Sequence, residues 1–372
     1  MSSTQSLPLL AAPRLPGLLE VSPAELKSWL AERGQPPHRV KQLRRWILAA
    51  GADSFDAMTD LPKSLRAELA ESFAPIGNRI VKHLQADDGT HKLLVELRDG
   101  KTVECVLIQE ADRRTACIST QVGCGMGCVF CASGIGGVER NLTIGEIIEQ
   151  LIRLRNLPTH DPGRKRHLED TGAAVDRLTH IVVMGMGEPL ANLDNLLAAL
   201  EIAGAKDGLG IGARHIHISS VGIPGKIREL AQSGKQYHLA VSLHAPNDEL
   251  RTEIVPTNDK IGLAAILAAA DEFQKTTGRQ VTFEYVLLGG VNDHAEHASA
   301  LGKLLHGRGA HVNLIPFNDV SGLGYRRPSN EAIQAFQESL HRAGVSVKVR
   351  KRKGAQIEAA CGQLRRTAMA GL

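Results

Sequence analysis

From about residue 114 to residue 343, short apolar runs alternate with segments of helical periodicity. That alternation restricts the fold more than any other feature of this chain. Apolar runs end near Cys117 and fall at His180–Met184, His215–Ser219, His238–Leu243, Val281–Leu287 and Val312–Ile315. Helical patterns separate them. Thr143–Arg155 opens with Thr143 as N-cap and Glu146 three residues on, and Asn195–Ala203 and Glu331–Ala343 repeat the period. Strands joined through helices pair in parallel, because a hairpin turn is not available to them. The α/β pattern therefore predicts a parallel sheet curled into a partial (β/α)6, TIM-like barrel. A doubly wound sheet has the same periodicity and stays open as the alternative.

The regions before this repeat differ in period. Residues 1–20 carry Pro8, Pro13 and Pro16 and read as a flexible tail. Residues 21–76 read as a small helical domain. Ser22-Pro23 caps a first helix with Leu26, Trp29 and Leu30 on one face, and Val40, Leu43, Trp46 and Ile47 mark a second. A third starts near Pro62 with Leu65, Leu69 and Phe73. Residues 77–110 alternate with period two between Asp87-Asp88-Gly89 and Asp99-Gly100, a β-meander that connects to the core at 111–345. A C-terminal segment, 346–372, completes the chain. Pro158–Asp176, with Arg164-Lys165-Arg166, reads as an exposed insertion.

Charge balance, 44 Lys+Arg against 40 Asp+Glu, neither requires nor excludes a nucleic-acid partner. Three local clusters are candidate phosphate contacts: Arg39–Arg45, Arg164–Arg166 and Lys348–Lys353. A solvated charged face accounts for each equally well. No apolar run reaches the ~20 residues a membrane span needs. With clustered cysteines and no export signal, the expected location is the cytoplasm.

Of the six cysteines, four lie between Cys117 and Cys131. Cys124, Cys128 and Cys131 have the spacing C-x3-C-x2-C, and Gly123, Gly125 and Gly127 let the backbone wrap closely around a bound group. Three such thiolates can hold a [4Fe–4S] cluster with one iron open, to which S-adenosylmethionine can bind. A structural zinc site or buried structural thiols are the competing explanations, though no second C-x2-C knuckle is present. Ligands of parallel α/β folds sit beyond the carboxyl ends of the strands. Gly185–Pro189, Ser219–Gly222, Ser242–His244 and Asn318 fall there, with donors, hydroxyls, a carboxylate and an amide suited to an amino acid and a ribose.

Together these residues resemble the RlmN/Cfr family of radical S-adenosylmethionine adenosine methyltransferases, from about Leu26 to Leu364. Cys124, Cys128 and Cys131 match the cluster ligands, with Phe130 the aromatic before the last. Gly187, Glu188, Ser219, Ser242, Leu243, His244 and Asn318 match the cofactor contacts. Arg350–Gly354 and then Ala359-Ala360-Cys361-Gly362-Gln363-Leu364 match the family's C-terminal signature, the most specific of these matches.

The resemblance implies two molecules of S-adenosylmethionine per turnover. Cys361 would accept a methyl group from one. A radical made from the other would activate that group for addition to an adenine carbon. Cys117 would then attack Cys361 and free the base, through a transient disulfide. Glu104 matches the family's proton acceptor, although a lone carboxylate inside a meander strand ordinarily faces solvent. Cys105 matches no role and reads as structural. Lys348, Arg350, Lys351 and Arg352 are expected to act electrostatically on Cys361.

The implied substrates are adenosine 2503 of 23S rRNA and adenosine 37 of tRNA, unstacked bases in loops. The implied reaction is methylation at carbon 2, with an external donor of flavodoxin or ferredoxin type. The stretch after Cys131, the insertion and Thr257 differ from the usual family pattern, so carbon 8 stays open as the alternative. A non-catalytic iron–sulfur RNA-binding or redox-sensing protein is the alternative from another class.

Overall fold

The computed structural model describes residues 14–110, 112–158, 177–320 and 322–365. The expected insertion from residue 159 onward, including Arg164–Arg166, and the tail up to residue 13 lie outside the described residues.

The chain packs earlier than the proline-rich start suggests. Leu18 is 1% exposed and Leu19 is buried beside it. Leu18 N–H donates to Ala74 C=O at 2.9 Å, and Ala74 N–H to Pro16 C=O at 2.9 Å. Residues 14–20 are thus a strap across the helical domain rather than tail, because two adjacent leucines give the segment apolar surface to bury. Three helices come next: α1 (Pro23–Ala31), α2 (His38–Leu48) and α3 (Lys63–Ser72). A capping box between Ser22 and Glu25 starts α1. Leu26, Leu30, Leu43, Ile47, Leu65 and Leu69 form the shared core. Part of the basic face of α2 is used internally: Arg39 donates to Gln42 Oε1 at 2.6 Å. Burial holds the Arg44 guanidinium below its ordinary pKa, with Asp207 opposing that shift.

The meander is β1 (Arg79–Gln85), β2 (His91–Glu96) and β3 (Thr102–Glu110), antiparallel in sequence, with β4 (Arg113–Cys117) antiparallel to β3. A small ribbon, β5 (Gln121–Gly123) with β6 (Val138–Asn141), brackets the cysteine loop. The core continues as α4 (Ile144–Arg155), β7 (His180–Val183), α5 (Leu193–Gly204), β8 (Ile216–Ser220), α6 (Pro224–Gln232), β9 (His238–Ser242), α7 (Asp248–Ile254), α8 (Leu263–Thr277), β10 (Thr282–Leu287), α9 (Ala295–Leu305), β11 (His311–Pro316), α10 (Asn330–Arg342) and β12 (Ser346–Val349).

One sheet runs β1-β2-β3-β4-β7-β8-β9-β10-β11-β12, parallel from β4 onward. Successive strands are neighbours throughout, with no reversal of order. A doubly wound sheet needs such a reversal, so the winding is that of a partial barrel. The expected six parallel strands become seven, because β12 adds to β11. Its four residues alternate Ser346-Val347-Lys348-Val349, too short and too polar to stand out from the basic cluster around them. On α4, buried Glu149 accepts from Gly77 N–H at 2.8 Å and Asn78 N–H at 2.9 Å, joining the helical domain's exit to the barrel. Among the described residues, no helix is long and apolar enough to cross a membrane.

Candidate functional site

The cysteine loop leaves the carboxyl end of β4 and is closed by the β5–β6 ribbon. Gly123 and Gly127 adopt φ of +80° and +68°, values that an L side chain resists, and in the loop they turn the three thiols lie close enough to act on one another. Cys124, Cys128 and Cys131 are each partly exposed there. Backbone N–H groups of Met126 and Gly187 point at the Cys124 sulfur. Those of Ser133 and Gly134 point at the Cys131 sulfur. Burial pushes the Cys124 thiol up to about 11, and the neighbouring Cys131 adds to the shift. Cys128 is raised by burial and by both other thiols.

A low-polarity recess with N–H donors aimed at sulfur suits thiolates that are metal-bound rather than free. Three cysteine sulfurs are the donor set of a four-iron cluster with one iron open, whereas a structural zinc site takes four protein ligands.

Beneath the loop, Arg251 on α7 is fully buried. It donates to Leu243 C=O at 3.0 Å, Ser242 C=O at 3.0 Å, Val221 C=O at 2.7 Å and Asn258 Oδ1 at 2.5 Å. One guanidinium thus ties the ends of β8 and β9 together behind Cys128. Burial lowers its pKa to about 10, with the Cys128 thiol opposing the shift. Nothing in the sequence singled out Arg251, since its partners are mostly main-chain carbonyls of other loops.

The residues matched to cofactor contacts gather at the same strand ends, in varied states. Gly187 has φ of +100°, and a Cβ there would lie 2.7 Å from Gln121 Cβ, so only glycine fits. Glu188 is 3% exposed, and its carboxylate accepts from Leu190 N–H at 2.9 Å and Val221 N–H at 2.8 Å. Its carboxylate is thus largely engaged within the protein, shaping the turn. Ser219 donates its hydroxyl to Glu284 Oε2 at 2.9 Å. Leu243 N–H donates to Glu284 C=O at 2.9 Å, which fixes the end of β9 against β10. His244 is buried with a φ of +63°, and its ring meets Phe130 edge to face at 4.9 Å. Burial lowers its pKa to about 3, so the ring is neutral; its Nδ1 accepts from Val286 N–H at 3.1 Å. Asn318 donates to Cys361 C=O at 3.1 Å.

That last contact belongs to a larger seam. The C-terminal segment crosses the barrel mouth and docks on the cysteine loop. Ala132 N–H donates to Gly362 C=O at 2.8 Å, and Ser133 Oγ to Leu364 C=O at 2.6 Å. Gln363 donates to Asp319 C=O at 2.7 Å. Cys361 is thereby held, exposed, beside buried Cys117 at the end of β4. All six cysteines are free thiols, so the disulfide expected between this pair is not present in the structure. Burial pushes Cys117 up to about 12, and the nearby Cys361 adds to this; Arg350 and the Met184 N–H oppose it. Of the four cations expected near Cys361, Lys348, Lys351 and Arg352 are exposed. Arg350 is the one that couples to both thiols.

Glu104 corrects one expectation. It is 4% exposed, not solvent-facing, because the meander sheet continues into the barrel and is covered by the C-terminal segment. Its Oε1 lies 3.0 Å from Lys92 Nζ, and its Oε2 accepts from Arg365 N–H at 3.0 Å. Val106 pairs with Cys117, so Glu104, two residues along β3, shares the face of the sheet that carries Cys117. Burial raises its carboxyl above the ordinary value, against the opposing pull of Lys92 and Arg365. Cys105, on the other face, is fully buried. Glu284 stood outside the sequence motifs, yet it accepts from Ser219 and lies 3.2 Å from Arg350 Nη1.

Residues 118–301 match the radical SAM superfamily, and residues 17–74 match the ribosomal RNA large subunit methyltransferase N-terminal domain. The chain is 54% identical over 355 residues to a probable dual-specificity RNA methyltransferase RlmN of Rhodopirellula baltica, covering 95% of this chain and 92% of that protein. A Bacillus licheniformis protein of the same description is 44% identical over 94% of this chain and 93% of its own length. The crystal structure of a radical SAM methyltransferase from Sphaerobacter thermophilus superposes with a TM-score of 0.85 at 42% identity, covering 94% of this chain and 99% of that one.

Proposed function

The chain belongs to the RlmN family of radical S-adenosylmethionine dual-specificity RNA methyltransferases, and from that premise we propose that it methylates carbon 2 of adenosine 2503 in 23S rRNA and of adenosine 37 in tRNA. Cys124, Cys128 and Cys131 hold a [4Fe–4S] cluster, and the strand ends from Gly187 to Asn318 line the S-adenosylmethionine site. The observation that carries the reading is the seam between Gly362 and Ala132, 2.8 Å long, which seats Cys361 over the mouth. A radical enzyme without a sulfur carrier has no need of that second thiol.

Cys361 is exposed and takes a methyl group by displacement. A second S-adenosylmethionine is used in the same turnover. When bound, the cluster and its cofactor supply the one-electron chemistry that makes this methyl group reactive toward an electron-poor ring carbon. That chemistry would draw one electron from a flavodoxin- or ferredoxin-type donor, remove one hydrogen atom from the methyl group to leave a methylene link, and take one electron back as the ring carbon loses its proton. Glu104 takes the proton that the ring carbon loses. Its raised pKa and water-poor surroundings suit a base that must take up a proton and give it up again within one cycle. Cys117 Sγ then attacks Cys361 Sγ. The carbon–sulfur bond breaks, and the methylene carbon takes the electron pair and a proton to become the methyl group. The two sulfurs stay bonded to each other until a thiol reductant returns them to free thiols.

Replacing Glu104 with Gln keeps the shape and the Arg365 contact but removes the base. Turnover is expected to fall by about 100-fold, the lower range for loss of general base catalysis. Methylation of Cys361, read by peptide mass spectrometry, is expected to stay as in the wild type. Wild-type turnover of E104Q removes Glu104 from the mechanism. The product itself is tested by mass spectrometry of digested rRNA and tRNA after reaction with the reconstituted enzyme. The expected product is 2-methyladenosine in both. Only 8-methyladenosine would overturn the choice of carbon, and no methyladenosine in either RNA would overturn the reading as a whole.

A further inference from the structure

We propose that Glu284 is a positioning residue: one carboxylate, on β10, holds Arg350 at the Cys117–Cys361 site with one oxygen and Ser219 at the cofactor site with the other.

The geometry is a short chain of contacts across the barrel mouth. Glu284 is 5% exposed, so an unpaired carboxylate there would be strongly disfavoured by desolvation. Its Oε1 lies 3.2 Å from Arg350 Nη1, and its Oε2 accepts the Ser219 hydroxyl at 2.9 Å. The same Arg350 Nη1 lies 3.6 Å from Met184 Sδ, and the Met184 backbone N–H points at the Cys117 sulfur. Arg350 N–H donates to Leu314 C=O at 2.8 Å, which seats the residue on β11 just past β12. Residues on or just past five strands, β7, β8, β10, β11 and β12, thus meet around one carboxylate–guanidinium pair. A buried pair without further hydrogen bonds recovers little of its desolvation cost, and here each member has other partners.

The pair affects the chemistry in two ways, both resting on the function proposed above. Ser219 commits its single O–H to Glu284, so toward a ligand its oxygen is left as an acceptor. It would receive a hydrogen bond from a hydroxyl or ammonium group of the cofactor. At the other oxygen, Glu284 limits the swing of Arg350, which stands close enough to both sulfurs to act on them and opposes the burial of a Cys117 thiolate. When Cys117 Sγ bonds to Cys361 Sγ and the carbon–sulfur bond breaks, a sulfur must approach as thiolate. A guanidinium fixed beside both sulfurs favours that approach. A guanidinium free to turn to solvent does not.

The test uses the full-length reconstituted protein and the variants E284Q, E284D, R350Q and E284Q/R350Q. Arg350 is labelled with phenylglyoxal and read by peptide mass spectrometry, and release of methylated RNA from Cys361 is monitored in a single turnover. E284Q is expected to label at Arg350 several-fold faster and to release RNA about tenfold more slowly, the size of coupling usual within one charged network. The double variant is expected to be no slower than R350Q, because the carboxylate acts through the guanidinium. E284D keeps the charge and is expected to recover most of the Arg350 protection; if E284Q does not fold, R350Q carries the test, and RNA release at the wild-type rate in R350Q overturns the proposal. Unchanged labelling in E284Q, or a double variant whose defect is the product of the two single defects, overturns the proposal. If the wild type forms no RNA adduct and no methyladenosine, the proposed function fails instead, and Arg350 labelling alone decides the role of Glu284.

Discussion

Cys117→Ala is expected to leave the protein covalently joined to its RNA through Cys361, with reaction stopping after one event per chain. The two sulfurs have separate tasks in the proposed cycle. Cys361 is exposed on the docked C-terminal segment and carries the methyl group, whereas Cys117 is buried at the end of β4. Alanine at 117 removes the nucleophile that breaks the carbon–sulfur bond and leaves every earlier step intact. The small change also leaves β4 paired to β3 and β7, since those contacts are main-chain. A denaturing gel of enzyme with labelled RNA and S-adenosylmethionine should show a shifted band, and peptide mass spectrometry should place the link at Cys361. Wild-type protein should show little of it. With an intact cluster absorbance, absence of the band in C117A would remove Cys117 from the resolving role. Cys105 cannot substitute, because it is fully buried on the other face of the sheet.

Arg251→Met is expected to cost the folded protein about 3–5 kcal/mol, because several buried acceptors each lose a hydrogen bond to a charged donor. Four acceptors lose their donor at once: the carbonyls of Val221, Ser242 and Leu243, and Asn258 Oδ1. Methionine fills much of the volume but satisfies none of them, and water has little access to a residue that is 0% exposed. For a chain of 372 residues this corresponds to a thermal midpoint lower by about 5 °C, taking the usual unfolding entropy per residue. The damage should concentrate at the mouth, so R251M is also expected to retain less iron after desalting. A melting point within a degree of wild type would mean the three carbonyls find other donors, and Arg251 would lose its structural role.

The alternating apolar runs and helical segments were enough to predict a parallel α/β core. Periodicity reports which face of each element is buried but not which neighbour covers it, so the barrel and the doubly wound sheet looked alike. The order β4-β7-β8-β9-β10-β11-β12 separates them. The short β12 was not readable, because four residues with two polar side chains give no periodic signal. Leu18 and Leu19 were hidden in the same way by the prolines around them.

The site shows the same division. Cys124, Cys128 and Cys131 lie within one loop, and local spacing expresses their shared geometry directly. Gly187 is similar, since its φ of +100° is a local demand that only glycine meets cheaply. Glu104 looked like an ordinary exposed carboxylate, because the segment that buries it returns from residue 365, 3.0 Å away in space. Arg251 and Glu284 gave no motif, being single charged residues whose partners lie on other strands and loops.

By itself, then, the sequence determined the features set by neighbours along the chain: the elements, the parallel character of the core, the cysteine loop, and a family resemblance in the C-terminal signature. The tertiary structure decided the features that depend on contacts between distant segments. It made the winding a barrel, buried Glu104, seated Cys361 on the cysteine loop beside Cys117, and joined Ser219 to Arg350 through Glu284. The physical reason is the range of the forces. Backbone propensity and turn geometry act over a few residues, whereas desolvation and charge pairing depend on which surfaces the closed chain brings together.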